Sequence, residues 1–225
     1  ILGTLLNIDL FLTFSQNIKK KLLYAFGFQK IHISEKGLNI YNNLLKSKKK
    51  CILVYNHRSI FDGIIICAFF KKIKAFMNSN ISSMFPNLSN ILKKSGYIVI
   101  DKNIKNKTKL ITKYVNNRKE NEGILSIAPD GLNKIENNNV IAPFKTGAFV
   151  DKFCILPVVI KYKNYIINPE NINDNLVLDL FQKPLDINCE VIVDVMKLIQ
   201  PKKDSSIDEY KNMVHKRMSQ RYNEL

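Results

Sequence analysis

The sequence predicts a single α/β domain with a central, largely parallel or mixed sheet covered by helices on both faces. Short apolar runs alternate along the chain with longer amphipathic stretches, the pattern of strands joined by crossover helices. At 225 residues and 46% apolar content, the chain can bury one well-packed core rather than two. No internal repeat is present, and only eight glycines are available, none in a Gly-rich phosphate loop.

The elements follow in order. Residues 1–45 read as an N-terminal amphipathic, membrane-proximal helical region, and 46–225 as the main domain with a C-terminal helix. Strands are expected at the short apolar runs Cys51–Tyr55, Lys74–Met77, Tyr97–Ile100, Ile124–Ile127, Ile155–Tyr162 and Glu190–Met196. Between the third and fourth, Lys105–Lys119 places Leu110, Ile111, Tyr114 and Val115 on one helical face. Asn171–Pro184 reads as a loop over the sheet. Ser206 with Glu209 forms a capping-box pattern, after which Ile207, Tyr210, Val214 and Met218 make an apolar stripe.

The segment with the most chemistry is Cys51-Ile-Leu-Val-Tyr-Asn-His-Arg-Ser-Ile-Phe-Asp62. A buried-type strand runs into His57, and Asp62 follows five positions later. On one continuous helix those side chains would diverge by about 140°. With His57 on the turn leaving the strand and Asp62 in the first turn of the next helix, they converge. A carboxylate on one ring nitrogen would fix the tautomer and leave the other nitrogen to accept a proton. His32 and His215 have Gly37 and Gln220 at the same offset and lack this context.

Five ordered blocks carry a family resemblance. They are Asn56-His57-Arg58-Ser59-Ile60-Phe61-Asp62, Gly96-Tyr97-Ile98-Val99-Ile100-Asp101-Lys102, and Ala128-Pro129-Asp130-Gly131-Leu132-Asn133-Lys134. Pro143-Phe144-Lys145-Thr146-Gly147-Ala148-Phe149 and Ile155-Leu156-Pro157-Val158-Val159-Ile160 follow. Over about residues 50–200 the chain resembles the glycerophospholipid acyltransferases, the family of lysophosphatidate acyltransferase. That family carries N-H-x-S-x-x-D, G-x-I-F-I-D-R, F-P-E-G-T-R-S, P-F-K-x-G-A-F and V-P-V-V-I in this order.

The resemblance implies an O-acyltransferase acting in phospholipid synthesis or remodelling. His57 would deprotonate the acceptor hydroxyl, with Asp62 as its orienter, and Arg58 and Ser59 would complete the first block near the substrate. The hydroxyl would attack the thioester of acyl-CoA or acyl-carrier protein, a co-substrate, with no resident cofactor, metal or covalent acyl-enzyme. Lys102 stands where the family contacts the acceptor phosphate, and Asp130 and Gly131 stand in the pair that shapes the acceptor site. The acceptor is expected to be a lysophospholipid resembling lysophosphatidate. Glycerol 3-phosphate or another acceptor is the alternative within the same chemistry, and a lipid-binding membrane adaptor without turnover is the alternative outside it.

Departures from the pattern bear on the acceptor. All but four (Arg58, Arg118, Arg217, Arg221) of the 35 basic residues are lysine, so Lys102 in place of arginine follows the chain-wide bias. A lysine keeps the point charge and loses the bidentate fork. In the third block, Glu becomes Asp130, Thr becomes Leu132 and Arg becomes Asn133. Composition does not account for that lost charge, and Lys134, one position on, is the candidate to replace it.

A net charge of +16 calls for an anionic partner. The lysines are scattered in short clusters (Lys19–Lys21, Lys48–Lys50, Lys71–Lys72, Lys93–Lys94, Lys202–Lys203), most of them flanking apolar elements, rather than gathered on the basic face or in the binding motif that a nucleic acid calls for. Membrane lipids are therefore the expected partner, at the cytoplasmic face, each nearby lysine contributing about 1 kcal/mol against an anionic surface, with solvated lysines from the chain-wide bias as the alternative. Ile1–Phe14 is apolar but too short to span a bilayer, which takes about twenty residues. Ile1–Phe28 suits helices lying in the interface plane or packed on the sheet. Cys51, Cys67, Cys154 and Cys189 sit singly in apolar runs, as buried reduced thiols do.

Overall fold

The computed structural model of the chain describes residues 16–25, 28, 30–59, 61–78, 98–100, 106–120, 122–131, 140–163 and 190–225. Among these residues, seven strands form one sheet: β1 (Lys30–Ile33), β2 (Cys51–Tyr55), β3 (Lys74–Asn78), β4 (Ile98–Ile100), β5 (Leu125–Ile127), β6 (Cys154–Lys163) and β7 (Glu190–Val195). Their order is β1-β7-β6-β2-β5-β3-β4. Neighbours pair in parallel except β6 and β7, which pair antiparallel, so the sheet is mixed.

Both faces of the sheet are covered, and the strand pleat shows how. Cys51, Leu53 and Tyr55 of β2 point into one core, while Ile52 and Val54 point into another. The first core takes Leu23 of α1 (Gln16–Ala25), Tyr41, Leu44 and Leu45 of α2 (Glu35–Lys46), and Ile65 and Ile66 of α3 (Phe61–Phe69). The second takes Ile111 and Val115 of α4 (Lys107–Asn116) and Tyr210, Val214, Met218 and Tyr222 of α5 (Ile207–Glu224). β2 is buried along its whole length because it is central and helices cover both its faces.

The expected strands stand within one or two residues of their sequence bounds. Tyr97 and the loop Asn171–Pro184 lie outside the described residues. The capping box of α5 is formed: Glu209 N donates to Ser206 Oγ at 3.1 Å, and Ser206 N donates to Glu209 Oε2 at 2.7 Å. Within the stretch expected to be helical, Lys30–Ile33 is instead an edge strand on β7. Only Ile31 and Ile33 of that strand face the core, so its apolar run is too short to stand out. Of the N-terminal segment, α1 is tied to the domain by buried Leu23, and residues 1–15 lie outside the described residues.

Buried Arg118 shows what an arginine does that this lysine-rich chain could not obtain from lysine. Its guanidinium donates to the carbonyls of Leu44 at 3.1 Å, Leu45 at 3.2 Å and Lys49 at 2.7 Å. It thereby caps the C-terminal end of α2, whose last carbonyls lack helical partners.

Candidate active site

β2 and β5 are parallel neighbours, and their carboxyl ends lead to His57 and to Asp130. Ligand sites in sheets of this kind form at such strand ends. Asn56 fixes the exit from β2: its amide donates to Ile160 O at 2.9 Å and accepts from Ile160 N at 2.8 Å. The asparagine of the first block thus continues the β2–β6 pairing with a side chain where the backbone turns away.

The turn and the start of α3 then wrap around one carboxylate. Asp62 is fully buried, and its Oδ2 accepts from the backbone N–H of Arg58 at 2.6 Å and of Ser59 at 2.7 Å. The same oxygen lies 2.9 Å from His57 Nδ1. Its other oxygen accepts from the hydroxyl of Tyr162 at 2.5 Å. With Nδ1–H committed to Asp62, the imidazole is the tautomer whose Nε2 is an acceptor. The His57 side chain keeps 23% of its surface exposed, so a substrate proton can reach it.

His57 feels two opposing influences. Burial lowers its pKa, but the hydrogen bond and charge of Asp62, with the charge of Asp130 and the backbone at Ser59, outweigh burial and raise it above 6.5. Asp130 is itself fully buried, and its Oδ2 accepts from His57 N at 2.9 Å. Burial pushes its carboxyl up to about 7, against the opposing pull of that N–H and of the His57 ring. Asp130 therefore supports the backbone of the histidine.

Gly131 follows at φ +67°, a left-handed conformation that glycine adopts without steric cost. A methyl group placed on it would come within 3.4 Å of the Lys145 ammonium. Lys145 reaches this turn because its own N–H donates to Pro129 O at 2.9 Å. The neighbouring loop is held from the other side: Arg58 donates to Val140 O and lies 5.1 Å over the Tyr222 ring, and His215 Nε2 lies 3.0 Å from Ile141 O.

The structure thus brings together His57, Asp62, Asp130, Gly131 and the backbone of Arg58 and Ser59. Ser59 Oγ accepts from Phe61 N at 3.2 Å at the start of α3, and the Arg58 guanidinium is directed to α5 and the 140 loop. Lys102 and Lys134 lie outside the described residues. Sequence reasoning assigned no role to Tyr162 or Lys145. The signal for Tyr162 was the pleat of β6, since Val158, Ile160 and Tyr162 share one face of that strand.

A family model described as Acyltransferase matches residues 37–161. The fold is similar to the crystal structure of PlsC, the 1-acyl-sn-glycerophosphate (LPA) acyltransferase from Thermotoga maritima. The TM-score is 0.58 at 16% identity, covering 99% of this chain and 87% of that one. No curated protein sequence matches the chain.

Proposed function

Because the chain belongs to the Acyltransferase family, we propose that it moves a fatty acyl group from a thioester donor to the hydroxyl of a lysophospholipid. The observation that carries this reading is the His57 ring held through Nδ1 by buried Asp62 at the end of a central strand, with Nε2 left to accept a proton. Nε2 takes the acceptor's hydroxyl proton as its oxygen attacks the thioester carbonyl. The tetrahedral adduct collapses with cleavage of the C–S bond, and the imidazolium returns its proton to the departing thiolate. Asp62 stabilises that imidazolium and keeps the ring aligned. General-base help of this kind contributes typically about 10²–10⁴-fold in rate.

The donor is acyl-CoA or acyl-carrier protein, with no resident cofactor. The likeness to PlsC supports a lysophosphatidate-type acceptor, and Lys145, beside the Gly131 turn, supplies a cation on that side of the site, with Lys102 and Lys134 as further candidates. The shortened Asp130, engaged with the His57 backbone, and the uncharged Asn133 favour glycerol 3-phosphate or another acceptor as the second reading.

The test incubates radiolabelled acyl-CoA or acyl-carrier protein with a panel of lysophospholipids and glycerol 3-phosphate, beside His57→Ala. Transfer lost in the variant supports the base role and identifies the acceptor. A folded variant with undiminished transfer removes His57 from the chemistry, and no transfer from either donor favours a lipid-binding adaptor. The excess of lysine supports attachment to an anionic membrane surface at the cytoplasmic face. No described helix is long and apolar enough to cross a membrane. Raising salt is expected to release the protein from anionic vesicles, whereas retention in high salt argues for apolar insertion.

A further inference from the structure

We propose that Tyr162 is a positioning residue that sets how strongly Asp62 holds the His57 ring, making the base the end of a Tyr162–Asp62–His57 chain. The inference rests on the reading of His57 as the base. Its geometry is specific. β6 runs parallel to β2 with Tyr55 opposite Val158, so Tyr162 lies four residues beyond the end of β2 and overhangs the turn that carries His57. Its hydroxyl meets Asp62 Oδ1 at 2.5 Å, while Oδ2 takes the ring of His57 and the two backbone N–H groups. Among the described residues, Tyr162 is the donor to Oδ1, on a carboxylate with no exposed surface.

Two consequences follow from the hydroxyl's place. First, it blocks rotation of the carboxylate about Cβ–Cγ, so Oδ2 stays aimed at Nδ1. Second, it takes up part of the negative charge that would otherwise act on the imidazolium, which limits how far Asp62 raises the His57 pKa. Among the described residues, the titratable groups facing the pair include Tyr55 from β2, whose ring centroid is 6.2 Å from that of His57, Asp130 beyond β5, and Tyr162 from β6. Raising the histidine too far would leave it protonated, and idle as a base, at neutral pH. Tyr162 thus keeps the base oriented without over-stabilising its charged form. The ring also packs on Phe28 at 6.3 Å between centroids, a contact phenylalanine preserves.

The experiment follows the His57 ring by NMR during a pH titration, assigning its signal from its loss in His57→Ala, in the wild type and Tyr162→Phe. Removing the hydroxyl is expected to move the His57 midpoint up by about half a unit to one unit. It should also lower kcat about 3- to 10-fold with little change in either KM. Tyr162→3-fluorotyrosine, a stronger donor that keeps the ring, should move the midpoint the other way and covers the case of a poorly folded phenylalanine variant. An unmoved midpoint in a folded variant overturns the inference. The titration needs no substrate, so it separates the two claims: acyl transfer surviving in His57→Ala would refute the base while leaving the Tyr162 coupling measurable.

Discussion

Asp130→Asn is the substitution whose consequence can be worked furthest. The carboxyl is fully buried and its pKa is raised by burial from 3.8 to about 7. A group that holds its proton more tightly when folded stabilises the fold at low pH. That contribution is complete below 3.8 and is lost as pH rises through about 7. At 1.36 kcal/mol per unit, the whole span corresponds to about 4 kcal/mol, of which about 3 kcal/mol falls between pH 5 and pH 8. Asparagine keeps an oxygen able to accept from His57 N–H and has no charge to bury. Urea denaturation of both proteins at pH 5, 6, 7 and 8 should therefore show the variant gaining on the wild type by about 3 kcal/mol across that window. His57 and the surface carboxylates titrate in both proteins, so comparing the two removes most of their effect. Parallel pH profiles would refute the reasoning and show that the folded carboxyl ionises as readily as the unfolded one.

Lys145→Ala should raise the KM of a phosphate-bearing acceptor about 10-fold with kcat little changed, as expected for one exposed charge-assisted contact of about 1.4 kcal/mol. Steady-state kinetics against a phosphate-free acceptor serve as the control, and an equal rise there would remove the phosphate from the explanation. Arg118→Lys should cost about 2 kcal/mol in urea denaturation, because one ammonium cannot serve the four carbonyls, of Leu44, Leu45, Lys49 and Glu122, that the guanidinium now reaches. The acid limb of the wild-type kcat/KM profile should lie above 6.5, since the base must be neutral and Asp62 raises its pKa. Asp62→Asn should drop turnover steeply and move that limb down.

The central layers were legible because burial writes itself into composition. β2, β6 and β7 are runs of Val, Ile and Leu, and α5 announces itself through Ser206, Glu209 and a spaced apolar stripe. β1 was not, since an edge strand with one face in solvent needs only Ile31 and Ile33. The His57–Asp62 pair was readable because five residues span a strand-to-helix turn, and local spacing then fixes the geometry. Tyr162 lies 100 positions from Asp62 and meets it through the register of β6 on β2, which no local pattern encodes. Asp130 was picked out by its block, but its engagement with the His57 backbone depends on β5 lying beside β2.

The charge layout of the site bears on where the proposed anionic acceptor would be held. His57 is flanked by two buried carboxyls, Asp62 on its ring and Asp130 on its backbone, so the interior of the site is acidic although the chain carries +16. A phosphate drawn towards that interior would feel the negative charge of Asp62 from behind the His57 ring. Asp130 softens the conflict, because a carboxyl titrating at about 7 is partly neutral at physiological pH. The remaining repulsion still favours a phosphate on the outer side of the Gly131 turn, where the ammonium of Lys145 stands. The absence of a side chain at Gly131 serves both purposes: it permits the left-handed turn, and it leaves space beside that ammonium. Gly131→Ala would strain the left-handed turn, while its methyl group would meet the Lys145 ammonium only in ordinary contact at 3.4 Å, so backbone conformation is what should make this position resist substitution.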